Sequence, residues 1–252
     1  MFVRNLLLSV VTILIFSPES FGARIKKNAN VACGSDVMGQ LDHYLKEVEI
    51  LSGKRRFPET MSQLKEACKI NKNIMSILTN LANKCMTGFK KNVMQVTLYS
   101  VKKSHKSLCR SKPNKEMKDL IAAGKCVNSG ISEFSKCART TRDNVLRVKA
   151  VEDKMKIPLI CCEITRAQEC LRQKAKNVPQ CTEEHIETIQ KRFNRASMNG
   201  MNIACGDYTD ETDKCDKVHA PKDVIVEQSN KTMVMTMFEL LDGLPLDDNI
   251  PI

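Results

Sequence analysis

The sequence contains CVNSGISEFSKC at Cys126–Cys137 and CLRQKAKNVPQC at Cys170–Cys181, two segments that each enclose ten residues between cysteines. A further cysteine follows each segment after a gap of 23 residues, at Cys161 and at Cys205. Each cysteine of the second set thus lies 44 residues after its counterpart in the first. A fixed period of this length is typical of repeated helical units. We therefore expect each gap of 23 residues to hold one long helix.

A looser copy of the pattern precedes these two, at Cys68, Cys85 and Cys109, with gaps of 16 and 23 residues. An even cysteine count in a secreted chain predicts that all are paired in disulfides, and disfavours zinc binding. The predicted disulfide cysteines are Cys33, Cys68, Cys85, Cys109, Cys126, Cys137, Cys161, Cys162, Cys170, Cys181, Cys205 and Cys215. Sequence alone leaves the pairing open, but the adjacent Cys161 and Cys162 should point to different partners.

The N-terminus predicts secretion. Arg4 precedes an apolar run of 11 residues, Leu6 to Phe16, and Ser20-Phe21-Gly22 has small residues where a signal peptidase cuts. The run is shorter than the roughly 20 residues that a membrane span needs. We predict a signal peptide at residues 1–22 and a secreted, extracellular protein without a transmembrane segment.

The mature chain has no sustained alternation of β-branched residues, which predicts an all-α fold of disulfide-stapled helix pairs over residues 23–215. Apolar residues recur at helical spacing after Ser35, and Gly53 follows as a stop signal. Pro58 is typical of the first turn of the next helix, and a separate helix is expected at residues 74–84. Pro158 should end or bend the helix before Cys161.

Residues 216–252 differ from the rest: they contain no cysteine, two acidic clusters and a Met-rich run from Met233 to Met237. Gly243, Pro245 and Pro251 disfavour a continuous helix. We predict a loosely attached, partly disordered tail with at most one helix. Asn230 belongs to the Asn-Lys-Thr sequon of this tail and is the predicted glycosylation site.

The formal net charge is +11, and the segment from Lys84 to Lys125 alone carries +9. From Asp207 to the end, 11 acids face four lysines. One interpretation is two solvated surfaces of opposite sign. The other is an anion-binding helix face, with Lys91, Lys102 and Lys106 on or near one side and binding that weakens with salt.

Catalytic and cofactor motifs are missing from the sequence. The four histidines form no HExxH pair, and there is no GxSxG, phosphate loop or dinucleotide fingerprint. We therefore predict no enzyme activity, no catalytic residues, no metal and no cofactor. Nucleic acid is a disfavoured partner, since the chain has no Trp and only three Tyr for base stacking.

A signal peptide, a helical body, a Cys-Cys pair and the repeated Cys-x10-Cys element extend over Cys33 to Cys215. This pattern resembles the secreted, cysteine-rich haemolymph proteins of arthropods, with the insect 27 kDa haemolymph glycoprotein family as the closest group. The resemblance implies a helical extracellular binding protein and supplies no active-site residues. Two alternatives remain: a venom, salivary or defence effector that binds anionic surfaces, and a carrier of small apolar ligands.

Overall fold

The computed structural model describes residues 37–46, 56–192, 205, 208, 212–225, 231–233, 235, 236 and 240. The helices of this part are α1 (Val37–Lys46), α2 (Met61–Cys85), α3 (Gly88–Leu108), α4 (Lys115–Ala122), α5 (Gly124–Arg147), α6 (Asp153–Lys176) and α7 (residues 183–192), with 3-10 turns at Val148–Ala150 and Asp213–Asp216. The all-α prediction is confirmed for the described residues. The predicted signal peptide, Cys33 and Asn230 lie outside them.

Helix α2 begins at a capping box. The Gln63 amide donates to the Thr60 hydroxyl at 3.2 Å, and the Thr60 amide donates to Gln63 Oε1 at 3.0 Å. These two bonds satisfy amides that a helix start otherwise leaves without partners. The helix therefore starts at Met61 rather than at Pro58, and it runs unbroken to Cys85 where two helices were predicted.

Helices α2 and α3 form an antiparallel pair, which we call the N-terminal hairpin. Gly88 makes the sharp reversal with a φ of 56°, a left-handed conformation that favours glycine. At the far end, a disulfide joins Cys68 to Cys109, with the Cα atoms 5.7 Å apart. The disulfide and the short turn together fix which residues of the two helices lie side by side.

Helices α5 and α6 form a second antiparallel pair, the C-terminal hairpin. Disulfides join Cys126 to Cys181 and Cys137 to Cys170. Between and beyond these bridges, Lys174 Nζ lies 3.0 Å from Glu133, and Asn144 Nδ2 donates to Glu163 at 2.7 Å. From one link to the next, the residue number in α5 rises by as much as the number of the linked residue falls. All four links therefore belong to one antiparallel register.

This register explains the equal cysteine spacings. Cys126 and Cys137 are 11 residues apart in α5, close to three helical turns, and Cys170 and Cys181 are also 11 residues apart, with Cys181 five residues beyond the end of α6. Two antiparallel elements can be linked twice only when the two spacings agree. The pattern thus marks a doubly stapled helix pair.

The prediction of one long helix between Cys137 and Cys161 is wrong. Helix α5 ends at Arg147, a 3-10 turn follows, and α6 starts at Asp153. The chain reverses there because buried Val148 anchors the turn in the core and Val151 is extended. For the second gap, the structure describes only α7 and Cys205.

Pro158 lies inside α6, so the prediction that the helix ends there is wrong. It is the sixth residue of that helix, which continues to Lys176. Its missing amide costs one intrahelical bond, to the carbonyl of Lys154, whose residue is exposed to solvent. Helix α6 therefore carries Cys161 and Cys162 intact. These two cysteines bond to Cys205 and Cys215, which confirms that they have different partners.

One large hydrophobic core joins both hairpins to the C-terminal segment. It includes Leu64, Met94, Ile160 and Met235, all at most 2% exposed. Thr232 is 1% exposed, and both its amide and its hydroxyl donate to Asp42 Oδ1 at 2.8 Å. Where the structure describes the tail between residues 231 and 240, that tail packs into the core, so the expectation of loose attachment does not hold there.

Candidate functional site: a basic face on the N-terminal hairpin

Exposed cations form regular rows on both helices of the N-terminal hairpin. On α2, Lys65, Lys69 and Lys72 recur after four and three residues and lie opposite the buried stripe. On α3, Lys102 and Lys106 are four residues apart and exposed. Residues at these spacings share one side of a helix. Each helix therefore presents its own row of positive charge to solvent.

A hydrogen bond shows that the two rows share one side of the hairpin. Gln95 Nε2 donates to Asn83 Oδ1 at 3.2 Å, and both residues are exposed. Asn83 lies 11 residues after Lys72, and Gln95 lies 11 residues before Lys106, so each belongs to the same helical side as its lysine. The bond therefore brings the two rows onto one outer surface.

The register of the hairpin then sets the neighbours across this surface. Counting back from the Asn83 and Gln95 contact places Lys72 beside Lys106, and the Cys68–Cys109 disulfide brings Lys69 and Arg110, the residues next to its two cysteines, to the same end of the hairpin. We define the basic face by six exposed residues: Lys65, Lys69, Lys72, Lys102, Lys106 and Arg110.

The basic face carries little compensating negative charge. None of its six cations makes an ion pair with another described residue. Glu66 is the single acid in α2, and α3 contains none. Since like charges at these spacings repel, the arrangement slightly destabilises the free protein. An anionic partner would relieve that repulsion.

Lysines elsewhere in the described chain are more often paired. Lys115 lies 2.6 Å from Asp119, whose hydrogen bond and charge raise the pKa of Lys115. Glu133 contacts both Lys136 and Lys174, and these two cations lower the pKa of Glu133. The cations of the basic face thus differ from these lysines, whose charge is balanced by a neighbouring carboxylate.

The structure places the three lysines predicted from sequence in α3, but not all in one site. Lys102 and Lys106 belong to the basic face. Lys91 is half-buried and lies about three turns away, near the reversal at Gly88. Sequence reasoning missed Lys65, Lys69 and Lys72, because they lie outside the segment with the highest net charge. Their spacing in α2 was the available signal.

Tyr99 marks one edge of the basic face. It is 69% exposed and lies one turn before Lys102 and Lys103 on α3. Ile225, which is 95% exposed, is the other large hydrophobic side chain with such exposure among the described residues. The basic face itself is therefore polar, with one aromatic ring beside it.

Other clusters of polar residues have structural roles. Cys68, His105 and Cys109 come close enough for a metal ion, but the two sulfurs are joined in a disulfide. Metal ions bind thiolates, which a disulfide does not offer. His105 Nε2 instead lies 2.9 Å from the Cys68 carbonyl oxygen.

Glu163 is the most deeply buried acid of this part of the chain, at 3% exposure. It accepts from Asn144 and from Arg166, whose guanidinium also donates to the carbonyls of Cys215 and Val218. This network therefore ties Cys215 and Val218 to α6.

The loop with Lys54-Arg55-Arg56 is described only from Arg56 onward. Phe57 is buried, and its amide donates to Asn128 Oδ1 at 2.6 Å. The Asn128 side chain returns a bond to the Phe57 carbonyl at 2.9 Å. The chain directly after Arg56 is therefore held against α5.

No helix among the residues described has both the length and the apolar character that crossing a membrane requires. Comparisons with protein-family models, with curated proteins and with solved structures found no match. Fold and surface together define an all-α protein of disulfide-stapled helix pairs that presents a cluster of exposed cations on one hairpin.

Proposed function

We propose that this chain is a secreted, non-enzymatic binding protein of extracellular fluid, and that its basic face meets an anionic surface. The observation that carries the proposal is the convergence of exposed cations from α2 and α3 with no described ion pair among them. Such a surface attracts polyanions over a distance of about one Debye length, roughly 8 Å at physiological ionic strength.

An extracellular location is supported by the cysteines. Five disulfides join ten of them, Cys85 is also disulfide-bonded, and no free thiol occurs among the described cysteines. Disulfides of this density persist in oxidising compartments and are rare in the cytosol. The predicted signal peptide and the resemblance to arthropod haemolymph proteins favour the same location.

The effector alternative requires the same surface, and the basic face favours it over the carrier. A carrier needs a cavity between its helices, whereas Met94, Met117 and Met235 are at most 2% exposed and pack in the continuous core. Glycosylation at Asn230 stays part of the proposal.

The test is to express the chain with its own leader in a secretory host. We expect the protein in the medium, starting at Ala23 and without reactive thiols after denaturation. At low salt, the purified protein should adsorb to a matrix that carries sulfate or phosphate groups, and it should elute as the salt concentration rises. It should not adsorb to the same matrix without charged groups. Equal retention on anionic and uncharged matrices would contradict the proposed function.

A further inference from the structure

We infer that the partner of the basic face is a linear sulfated polysaccharide that lies across α2 and α3. This inference rests on the proposed function, since it names the class of anion that the same surface binds. It is carried by the shape of the basic face, by the kind of cations in it, and by the scarcity of apolar groups around it.

The shape of the basic face fits a narrow polymer. Lys65 to Lys72 spans seven residues, about 10 Å along α2, and Lys102 to Lys106 spans about 6 Å along α3, with Arg110 two residues beyond the end of that helix. Packed helices lie about 8–10 Å apart. Six cations therefore occupy a compact strip on the outer surface of the hairpin. A single flexible polymer chain can contact both rows.

The kind of cations favours an array of charges over one phosphate. Five of the six are lysines, and Arg110 is the single arginine. Lysine is a compact point charge, while arginine offers the planar fork that binds phosphate in a bidentate manner. The described cations of the basic face follow one another in rows along the two helices instead of surrounding a single point. Sulfates spread along a sugar chain match separate point charges better than a single phosphate group does.

The surroundings of the basic face disfavour lipid and nucleic acid. Interfacial membrane binding needs apolar side chains that enter the boundary of the acyl chains. Single-stranded nucleic acid needs several aromatic rings on which bases stack. Among the side chains that the structure describes, Tyr99 is the one exposed aromatic ring beside the basic face. A hydrophilic polyanion without bases needs neither feature.

The experiment measures binding of the full-length secreted protein to four probes: heparin, chemically desulfated heparin, vesicles that contain phosphatidylserine, and single-stranded DNA. Two triple variants remove the rows separately, Lys65→Gln/Lys69→Gln/Lys72→Gln on α2 and Lys102→Gln/Lys106→Gln/Arg110→Gln on α3 and just beyond its end. The control Arg139→Gln/Lys154→Gln/Lys176→Gln makes the same change of net charge at exposed positions of the C-terminal hairpin.

We expect heparin to bind more tightly than the other three probes. Each triple variant of the basic face should weaken heparin binding by about 10- to 100-fold at low salt, and the control variant should weaken it far less. Release of counterions from a linear polyanion makes log K fall linearly with log salt, with a slope of about one per contact. The single variant Lys72→Gln should therefore lower that slope by about one. Its small change of surface charge leaves the fold intact.

The outcomes distinguish failure of the polysaccharide inference from failure of the proposed function. Preferential binding of vesicles or DNA, with loss in both triples, would overturn the polysaccharide and leave the basic face as an anion site. Equal heparin binding by the α2 triple and wild type would overturn the two-helix geometry. Loss of binding to the same extent in the control variant would show a net-charge effect only and would overturn the site. Failure of all probes would overturn the proposed function as well.

Discussion

The two hairpins of this protein are built alike but differ in their disulfides and in their surface charge. Helices of 25 and 21 residues form the N-terminal hairpin, and two helices of 24 residues form the C-terminal one. One described disulfide joins α2 to the residue after α3, with Cys85 bonded in addition. Four disulfides start from α5 or α6, and an ion pair crosses between these helices. The C-terminal hairpin is thus the more heavily linked, while the cations of the basic face on the N-terminal hairpin make no ion pair with described residues.

The largest expected effect is the loss of a staple, and it should be larger in the N-terminal hairpin. Removal of Cys68–Cys109 opens a loop of 41 residues, which costs about 4 kcal/mol in the chain-entropy model. Removal of Cys137–Cys170 should cost about 3 kcal/mol, because Cys126–Cys181 still constrains the unfolded chain. Urea unfolding of the two Cys→Ala double variants under non-reducing conditions measures both. A greater loss from the second variant would contradict the shared register.

The next effect compares one glycine from each hairpin. A methyl group at Gly130 would collide with the Phe134 ring and approach Val178, so Gly130→Ala should cost about 1–3 kcal/mol by overpacking. Gly88→Ala should cost about 1 kcal/mol, because alanine is strained at a φ of 56°. Thermal unfolding of the two variants tests this order. A Gly130→Ala variant that is more stable than Gly88→Ala would show that the C-terminal hairpin is not packed as described.

A smaller effect concerns the tail, which is attached covalently to the C-terminal hairpin and by hydrogen bonds to α1. Thr232→Val removes the hydroxyl that donates to Asp42 within the core, and should cost about 1–2 kcal/mol. Thr232→Ser keeps the hydroxyl and should cost less. The denaturation midpoints of the two variants decide the matter, and equal midpoints would assign the effect to packing alone.

The smallest effect is the pH dependence of one surface pair. The pKa of Glu133 lies below its ordinary value of 4.5 because Lys136 and Lys174 stabilise the carboxylate. A lowered pKa in the folded state adds stability above the ordinary pKa, and that stability is lost as the pH falls below 4.5 and through the lowered value. Glu133→Gln should therefore flatten the acid side of the stability curve slightly, and Glu66→Gln, at an exposed acid of the N-terminal hairpin, should not. Equal curves for both variants would count against the contribution of this pair.

The cysteine pattern allowed much of the fold to be predicted, but its period was misread. Ten residues between cysteines, twice, predicted helices stapled in pairs, and this is confirmed. The 44-residue period suggested one helix per gap, whereas the chain turns back at Val148 and Glu152. A spacing along the sequence cannot distinguish two parallel copies from two antiparallel partners, because both give the same numbers.

The candidate site was only partly predictable for a similar reason. Lys102 and Lys106 are neighbours on one helix, so local periodicity placed them together. Lys72 meets them through a contact between residues such as Asn83 and Gln95, which depends on how two helices pack. The Thr232 contact with Asp42 spans 190 positions and carries no local signal. The Thr60 capping box, by contrast, is a local signal, since Gln63 follows Thr60 by three residues. The prediction instead used Pro58 to mark the start of the helix.

The disulfides divide the backbone into two covalent units. A cut anywhere from Cys126 to Cys215 leaves the oxidised chain in one piece, since at least one of four bridges spans every position of that interval. No bridge between described cysteines crosses residues 110–125, and Cys33 and Cys85 both precede them. Arg110 is exposed and lies outside regular structure. A single tryptic nick after it should split the unreduced protein into two fragments in detergent, one carrying the whole basic face and the other the doubly stapled helices.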